Sequence, residues 1–383
     1  MKIKKQLRKA VSRLIHTFSY KKTVLFESLP DCSDNTKAVF DEMVRRGLHK
    51  KYTFIWVLHS DTVPQTKVPG VKYFCKKKSG LVYRWRQLSA YARAKCMLCC
   101  NGFLLPVLPD QIAIFLSHGT PIKYVRNFYN IPTQMTYALG ASEESSKIIA
   151  YQSKYPESQM ISLGYPRNDA FYAAPRDIRS LLKTDCKKVI IWYPTYRQHK
   201  NGKKTAASNT LPIIHDDQSA KRLNEFAMRQ DVLLVLKPHF AQNLSYIKNL
   251  RLSNIRFIDD SFFLEKAISS YAFVASGDAL ITDYSSIYFD YTLADKPIAA
   301  VWEDIEEYRK DPGFAVDLDR YMKGAEKIYT LEQFEQFIEH VAKGEDVLRQ
   351  DRQEIRDLFN YASDGRNSAR VVDFIVEVAD LSK

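Results

Sequence analysis

The sequence predicts an α/β protein made of two doubly wound parallel sheets. Three observations carry that expectation. Short apolar runs alternate with stretches of helical spacing along the chain, and such alternation builds parallel sheets covered by helices. The chain has 383 residues, enough for two domains with separate cores. Several apolar runs end in polar or cationic residues, and open α/β sheets bind ligands beyond the carboxyl ends of their strands.

The first segment, 1–22, is basic and amphipathic. Ile3, Leu7, Val11, Leu14, Ile15 and Phe18 follow helical spacing, Lys2, Lys4, Lys5, Arg8, Lys9, Arg13, Lys21 and Lys22 supply charge, and the first acid is Glu27. Such a helix suits an anionic membrane surface; the ordinary alternative is a helix packed on its own domain with a solvated basic face. Thr23 to Glu27 reads as the first strand. Asp34 is an N-cap type before a helix from Asn35 to Arg46, and Gly47 can end it. Tyr52 to Leu58 and Val71 to Phe74 read as further strands. Ser79 can cap a helix reaching about Ala94, in which Tyr83, Arg84, Trp85, Arg86, Tyr91 and Arg93 follow Lys76, Lys77 and Lys78. That patch suits acceptor phosphates or lipid headgroups, and equally a solvated helix face. Lys95 to Cys100 and Gln111 to Leu116 are the next strands. Ser142 caps a short helix, and Met160 to Leu163 is the last strand of this half.

Gly164 to about Arg179 is the crossover. The second half starts with a strand from Lys188 to Trp192, followed by a polar loop, 200–209. Strands follow at Val232 to Leu236, Ile255 to Ile258, Ala279 to Thr282 and Ile298 to Val301. Between the last two, Asp283, Ser285 and Ser286 are N-cap types, Ile287 to Leu293 has helical spacing, and Lys296-Pro297 ends the helix. Glu332 to Lys343, Glu345 to Asn360 and Ser368 to Leu381 read as closing helices.

Composition narrows the function classes. No stretch approaches the ~18 consecutive apolar residues of a membrane span, and the N-terminus lacks the apolar core and small-residue cleavage site of a signal peptide. The six cysteines lack the paired spacing of a zinc site and read as reduced core thiols. The net charge of +13 calls for an anionic partner. Nucleic acid is one candidate, but no RNA- or DNA-binding motif is present.

Four strand ends carry the chemistry: Leu116-Ser-His-Gly-Thr-Pro-Ile-Lys123, Trp192-Tyr-Pro-Thr-Tyr-Arg197, Leu236-Lys-Pro-His239 and the turn after Thr282. His118 titrates near neutral pH and sits beside Gly119, where backbone can approach a substrate. Lys237 and His239 flank Pro238, which ends its strand sharply. Arg197 suits a diphosphate in bidentate fashion, or a surface salt bridge. Ser285 and Ser286 offer hydroxyl donors at a helix start, a setting that suits phosphate, while Asp283 suits a cap. Asp317-Leu-Asp319 has the spacing of a metal-binding acidic pair, as do many chance pairs.

The ordered set His118-Gly-Thr-Pro, Gly164-Tyr-Pro-Arg-Asn-Asp169, Pro194-Thr-Tyr-Arg197, Lys237-Pro-His239, Thr282-Asp-Tyr-Ser-Ser286, Asp304 with Tyr308 and Gly313, and Asp364-Gly-Arg-Asn-Ser-Ala-Arg370 resembles the CDP-glycerol glycerophosphotransferase family, the teichoic acid primases and polymerases of Gram-positive cell walls. The resemblance runs from about residue 100 to the C-terminus. It implies the GT-B architecture: two Rossmann-like domains facing a cleft, here 23–170 on the acceptor side and 171–365 for CDP-glycerol. A C-terminal helix, 366–383, would cross back to the first domain. The implied reaction is attack of an acceptor hydroxyl on the β-phosphate of CDP-glycerol, with CMP leaving. His118 and His239 are then the expected catalytic residues. Gly119, Thr120, Lys123, Thr195, Arg197, Lys237, Asp283, Ser285 and Ser286 are the expected substrate contacts. No cofactor and no essential metal are expected. The expected partners are a lipid-linked polyol-phosphate or glycan acceptor and an anionic membrane surface, with the enzyme peripheral on the cytoplasmic face. Ribitol in place of glycerol, or a UDP-sugar transferase or epimerase on the same fold using Glu303 or Asp304 to grip a hydroxyl, remain the alternatives.

Overall fold

A computed structural model describes residues 10–11, 13–14, 22–60, 67–75, 80–101, 108–124, 131, 134–174, 176–195, 211–238, 244, 247 and 249–381. Apart from five residues, the expected basic helix of 1–22 lies outside the described residues, as do Lys76, Lys77, Lys78 and the polar loop 200–209.

The described strands form two sheets with every strand pair parallel. The first comprises β1 (Thr23–Glu27), β2 (Thr53–Leu58), β3 (Lys72–Cys75), β4 (Ala94–Cys99), β5 (Ile112–Phe115), β6 (Tyr137–Gly140) and β7 (Met160–Ser162), in the order β3-β2-β1-β4-β5-β6-β7. The second comprises β8 (Lys188–Trp192), β9 (Val232–Leu236), β10 (Ile255–Phe257), β11 (Ala279–Thr282), β12 (Ile298–Val301) and β13 (Glu326–Ile328), in the order β10-β9-β8-β11-β12-β13. Both orders reverse direction once, between β1 and β4 and between β8 and β11. These are the switch points where doubly wound sheets open a crevice at their carboxyl edge. The central strands are apolar because helices cover both faces: β1 and β9 are buried at every position.

Each sheet has its own core. In the first, Phe26, Phe40, Phe54 and Trp56 pack with ring centroids 5.0–6.0 Å apart. Val371, Val372 and Ile375 from the helix Asn367–Val378 belong to the same core. In the second, Trp192 meets Phe334 at 5.0 Å among Leu223, Leu234 and Ile281. The chain divides into two compact units, Met1–Thr120 with Arg126–Asp169 and Asp364–Lys383, and Pro121–Val125 with Ala170–Ser363. The segment Pro121–Val125 joins the second unit through backbone hydrogen bonds: Tyr124 N–H donates to Gly313 O (3.0 Å) and Ala315 N–H to Ile122 O (2.8 Å). All six cysteines are free thiols, and burial pushes the Cys96 thiol up to about 12.

Two expected caps are corrected. The helix after β1 is Asp34–Arg45, with Ser33 at its N-cap position and no side-chain cap bond. Asp34 has φ 60 and turns its carboxylate to Arg167 instead. The expected helix from Ile287 to Leu293 is α-helical only over Ile287–Tyr291 and tightens to a 3-10 turn at Thr292–Ala294. Ser286 holds the N-cap position of this helix without a side-chain cap bond, and the Asp283 carboxylate is drawn to Thr195 at the neighbouring strand end.

Candidate functional site

In the first unit, His118 follows β5 at the carboxyl edge of the sheet. Ser117 before it has φ 58 and Gly119 after it has φ 137, a region open to glycine but strained for serine. This backbone is fastened from several sides. The Asn35 side-chain amide donates to Leu116 O (2.9 Å) and Ser117 O (3.1 Å). Arg167, 7% exposed, donates from Nη1 to His118 O (2.8 Å) and to the Asp34 carboxylate (2.6 Å). Strained backbone persists where surroundings over-determine it, and such places concentrate at functional sites.

These contacts turn the imidazole outward: His118 is the one exposed residue within 113–120. Solvent reaches the ring, yet surrounding protein displaces enough bulk water to disfavour the imidazolium. That desolvation lowers the His118 pKa; Asp34 opposes it, Arg167 adds to it, and Cys100 O, 3.3 Å from Nδ1, opposes it weakly. The result is an accessible imidazole held neutral at physiological pH, as a general base requires. Thr120 is buried, its hydroxyl 2.6 Å from Ser145 Oγ, so it braces the loop.

The bracing depends on two distant stretches meeting. Asp169 accepts from the N–H groups of Asn367 and Ser368 (both 2.8 Å), and Asn367 donates to Tyr165 O (3.2 Å). Gly164, at φ +84, lies so close that an added Cβ would fall 2.2 Å from Asn367 Oδ1. Gly164→Ala should therefore lower thermal stability by ~1–3 kcal/mol, from the strained φ and the displaced Asn367. A melting curve matching that of the unmodified protein would show the joint to be slack.

In the second unit, the ends of β8 and β11 straddle the switch point. Tyr193 N–H donates to Ile281 O (2.9 Å), and Thr282 Oγ1 donates to Tyr193 O (3.1 Å). Asp283, fully buried, accepts from Thr195 N–H (2.7 Å), from the Thr195 hydroxyl and from Tyr284 N–H (2.6 Å). Ser285 and Ser286 follow, half-buried, with no hydroxyl partner among the described residues. Lys237 leaves β9 with its Nζ 3.0 Å from Asp260 Oδ1, 5.8 Å from the Tyr193 ring centroid and 6.0 Å from that of Phe263. Lys123 pairs with Phe314 in an antiparallel bridge and lies 6.0 Å from the Tyr308 ring.

The structure thus gathers Thr195, Lys237, Asp283, Ser285 and Ser286 on the carboxyl edge of the second sheet. His118, Gly119 and Thr120 lie on that of the first. His239 and Arg197 lie outside the described residues. Asp317 caps the turn Leu318–Tyr321, accepting from Asp319 N–H (3.1 Å) and Arg320 N–H (3.2 Å). Among the described residues no group of three or more His, Cys, Asp or Glu side chains could hold a metal ion. Glu303 accepts from Ile213 N–H (2.9 Å) and meets His215 at 2.7 Å, while Asp304 accepts from the Tyr284 hydroxyl (3.1 Å), so internal partners engage both acids. Sequence reasoning missed Asn35 and gave Arg167 no role. Arg167 stood inside a family motif; Asn35, one residue of an ordinary helix start, carried no signal.

A wall teichoic acid polymerase, TagF, has the same fold, with a TM-score of 0.73 and 22% identity over 100% of this chain and 96% of that one. The teichoic acid poly(glycerol phosphate) polymerase of Bacillus subtilis (strain 168) is 26% identical over 93% of this chain. The teichoic acid ribitol-phosphate primase of Bacillus spizizenii is 25% identical over 79% of this chain and 82% of its own length. The chain spans about half the length of the polymerases it matches first, 48% of the Bacillus subtilis protein. The model of the family described as CDP-glycerol:poly(glycerophosphate) glycerophosphotransferase matches residues 10–377, and the chain belongs to that family.

Proposed function

We propose that the protein transfers glycerol phosphate from CDP-glycerol to a hydroxyl of a lipid-linked teichoic acid or related acceptor. The observation that carries this reading is His118, an exposed imidazole kept neutral on a backbone fixed by Asn35 and Arg167. His118 takes the proton of the acceptor hydroxyl as its oxygen bonds to the β-phosphorus. The bond from that phosphorus to the bridging oxygen breaks, and CMP leaves with the electron pair. On the second unit, Lys237 and Arg197 supply positive charge to the diphosphate, His239 assists there, and Ser285 and Ser286 donate hydrogen bonds. Thr195 and Asp283 hold the turn in shape.

The test is incubation with CDP-glycerol or CDP-ribitol and a lipid-linked acceptor, with CMP and product mass as readouts. CMP and a glycerol-phosphate adduct are expected. Product from CDP-ribitol alone would make the polyol ribitol, as the name of the Bacillus spizizenii relative describes for that protein, and CMP from neither would end the reading.

The enzyme works at the cytoplasmic membrane face as a peripheral protein. No described helix is long and apolar enough to cross a membrane. The helix Leu81–Ala92, however, exposes Leu81 (86%), Val82 (68%) and Trp85 (56%) beside exposed Arg84 and Arg86, with no acid in it. Apolar residues with an interfacial Trp and flanking cations suit an anionic bilayer surface. The double change Leu81→Glu and Trp85→Glu should cut flotation with anionic vesicles by about tenfold, and high salt should weaken the unmodified protein's binding. Equal flotation of both proteins would move the contact to segment 1–22, where deletion of that segment should abolish it.

A further inference from the structure

Tyr193 has no part in the chemistry above, and its position is unusual. It is the first residue beyond β8, at the switch point of the second sheet. Its backbone is tied on both sides to β11. Its hydroxyl oxygen is buried and has no hydrogen-bond partner among the described residues. A buried hydroxyl without a partner is destabilising, and phenylalanine would fill the same space without that cost. Tyr193 is also under the Lys237 ammonium, whose present counter-ion is Asp260. The Asp260 side chain is 68% exposed, so it is free to swing away. Burial raises the Tyr193 pKa and the Asp260 charge raises it further, which places that carboxylate within electrostatic reach of the phenol.

These observations fit one arrangement. We propose that Tyr193, Lys237 and Asp260 form a latch for a diphosphate, in which the Asp260 carboxylate occupies the place of the ligand's anionic oxygen. An incoming diphosphate takes Lys237 from Asp260, Asp260 moves out to solvent, and the uncovered Tyr193 hydroxyl donates its hydrogen bond to a phosphate oxygen. The cost of the unpaired hydroxyl in the empty protein is thereby recovered on binding, which favours the diphosphate over a monophosphate too short to reach both groups. No covalent bond changes in this exchange. The inference rests on the donor reading above for the identity of the nucleotide, and on the geometry alone for the diphosphate.

The test measures binding of CDP-glycerol, CMP and inorganic pyrophosphate by calorimetry to the full-length protein, Tyr193→Phe and Asp260→Asn. Tyr193→Phe should weaken CDP-glycerol and pyrophosphate by about tenfold or more, as for a hydrogen bond to a charged group. CMP should change little, and the melting temperature of the empty protein should hold or rise, since an unpaired hydroxyl is gone. Asp260→Asn should tighten both diphosphates by about two- to fivefold, the scale of an exposed ion pair removed as a competitor. Unchanged diphosphate affinity in Tyr193→Phe, or a lower melting temperature, would make the hydroxyl structural and overturn the latch. Weaker binding in Asp260→Asn would make the carboxylate a positioning group for Lys237 and overturn it as well. If the unmodified protein binds pyrophosphate but not CDP-glycerol, the donor reading fails and the latch stands; if it binds neither, both fail.

Discussion

His118→Ala should reduce transfer by ~10²-fold or more, the usual contribution of a general base. The fold should survive, because Arg167 and Asn35 grip the backbone of this loop rather than the imidazole. CDP-glycerol affinity should stay within about twofold, since a base acts on the proton in flight and adds little to ground-state donor binding. The pH dependence follows from the sign of the shift. Desolvation lowers the His118 pKa from its ordinary 6.5, and only the neutral ring accepts a proton. The acid limb of the rate profile should therefore have its midpoint below pH 6.5, with a plateau at neutral pH, and should vanish from any residual activity of the alanine variant. A variant that loses donor affinity as well as turnover would make His118 a phosphate ligand. The base would then lie elsewhere.

Asp283→Ala should be the most destabilising single change at the second unit's switch point. The carboxylate is fully buried and satisfies two backbone N–H groups and a hydroxyl. Alanine leaves those donors without partners, and at ~1–3 kcal/mol for each unsatisfied group the loss should reach about 3 kcal/mol. A lower urea midpoint at unchanged slope reports it. CDP-glycerol binding should fall in the same variant even where most molecules remain folded, because Thr195 and the Ser285–Ser286 turn lose their fixed spacing. Asp283→Asn keeps the size but sets an amide N–H₂ against the backbone N–H of either Thr195 or Tyr284, so it should recover little. Full stability of the alanine variant would show that the clasp between β8 and β11 carries no load.

The strands of both sheets were legible wherever they were long and apolar. Thr23–Glu27, Lys188–Trp192, Val232–Leu236, Ala279–Thr282 and Ile298–Val301 fall where their sequences place them. Burial on both faces makes such runs apolar and turn signals bound them, so little else competes. Tyr137–Gly140 and Glu326–Ile328 were not legible. The first is four residues long and the second is mostly charged, and both owe their pairing to a neighbour already in place. The caps failed for a related reason: Asp34 and Asp283 are good local cappers, but Arg167 and Thr195 offer stronger long-range partners that no local pattern announces. The strand-end positions of His118 and Lys237 could be read because motif and strand coincide there. The unpaired hydroxyl of Tyr193 could not, since an absence of partners exists only in three dimensions.

The joint between Gly164–Asp169 and Asn367–Ser368 bears on how the protein is made. A ribosome releases residues 23–169 long before residue 367, so the β1–β7 sheet emerges with one face bare of Val371, Val372 and Ile375. Domains ordinarily fold as they are synthesised, from the N-terminus onward. Here the second unit, through Ser363, can close first, while the nascent first unit waits with exposed aliphatic surface for the last helix to arrive. A stalled chain ending at residue 363 should accordingly show a protease-resistant second unit and a protease-sensitive first one. Chaperone demand during synthesis should fall on the half that carries His118.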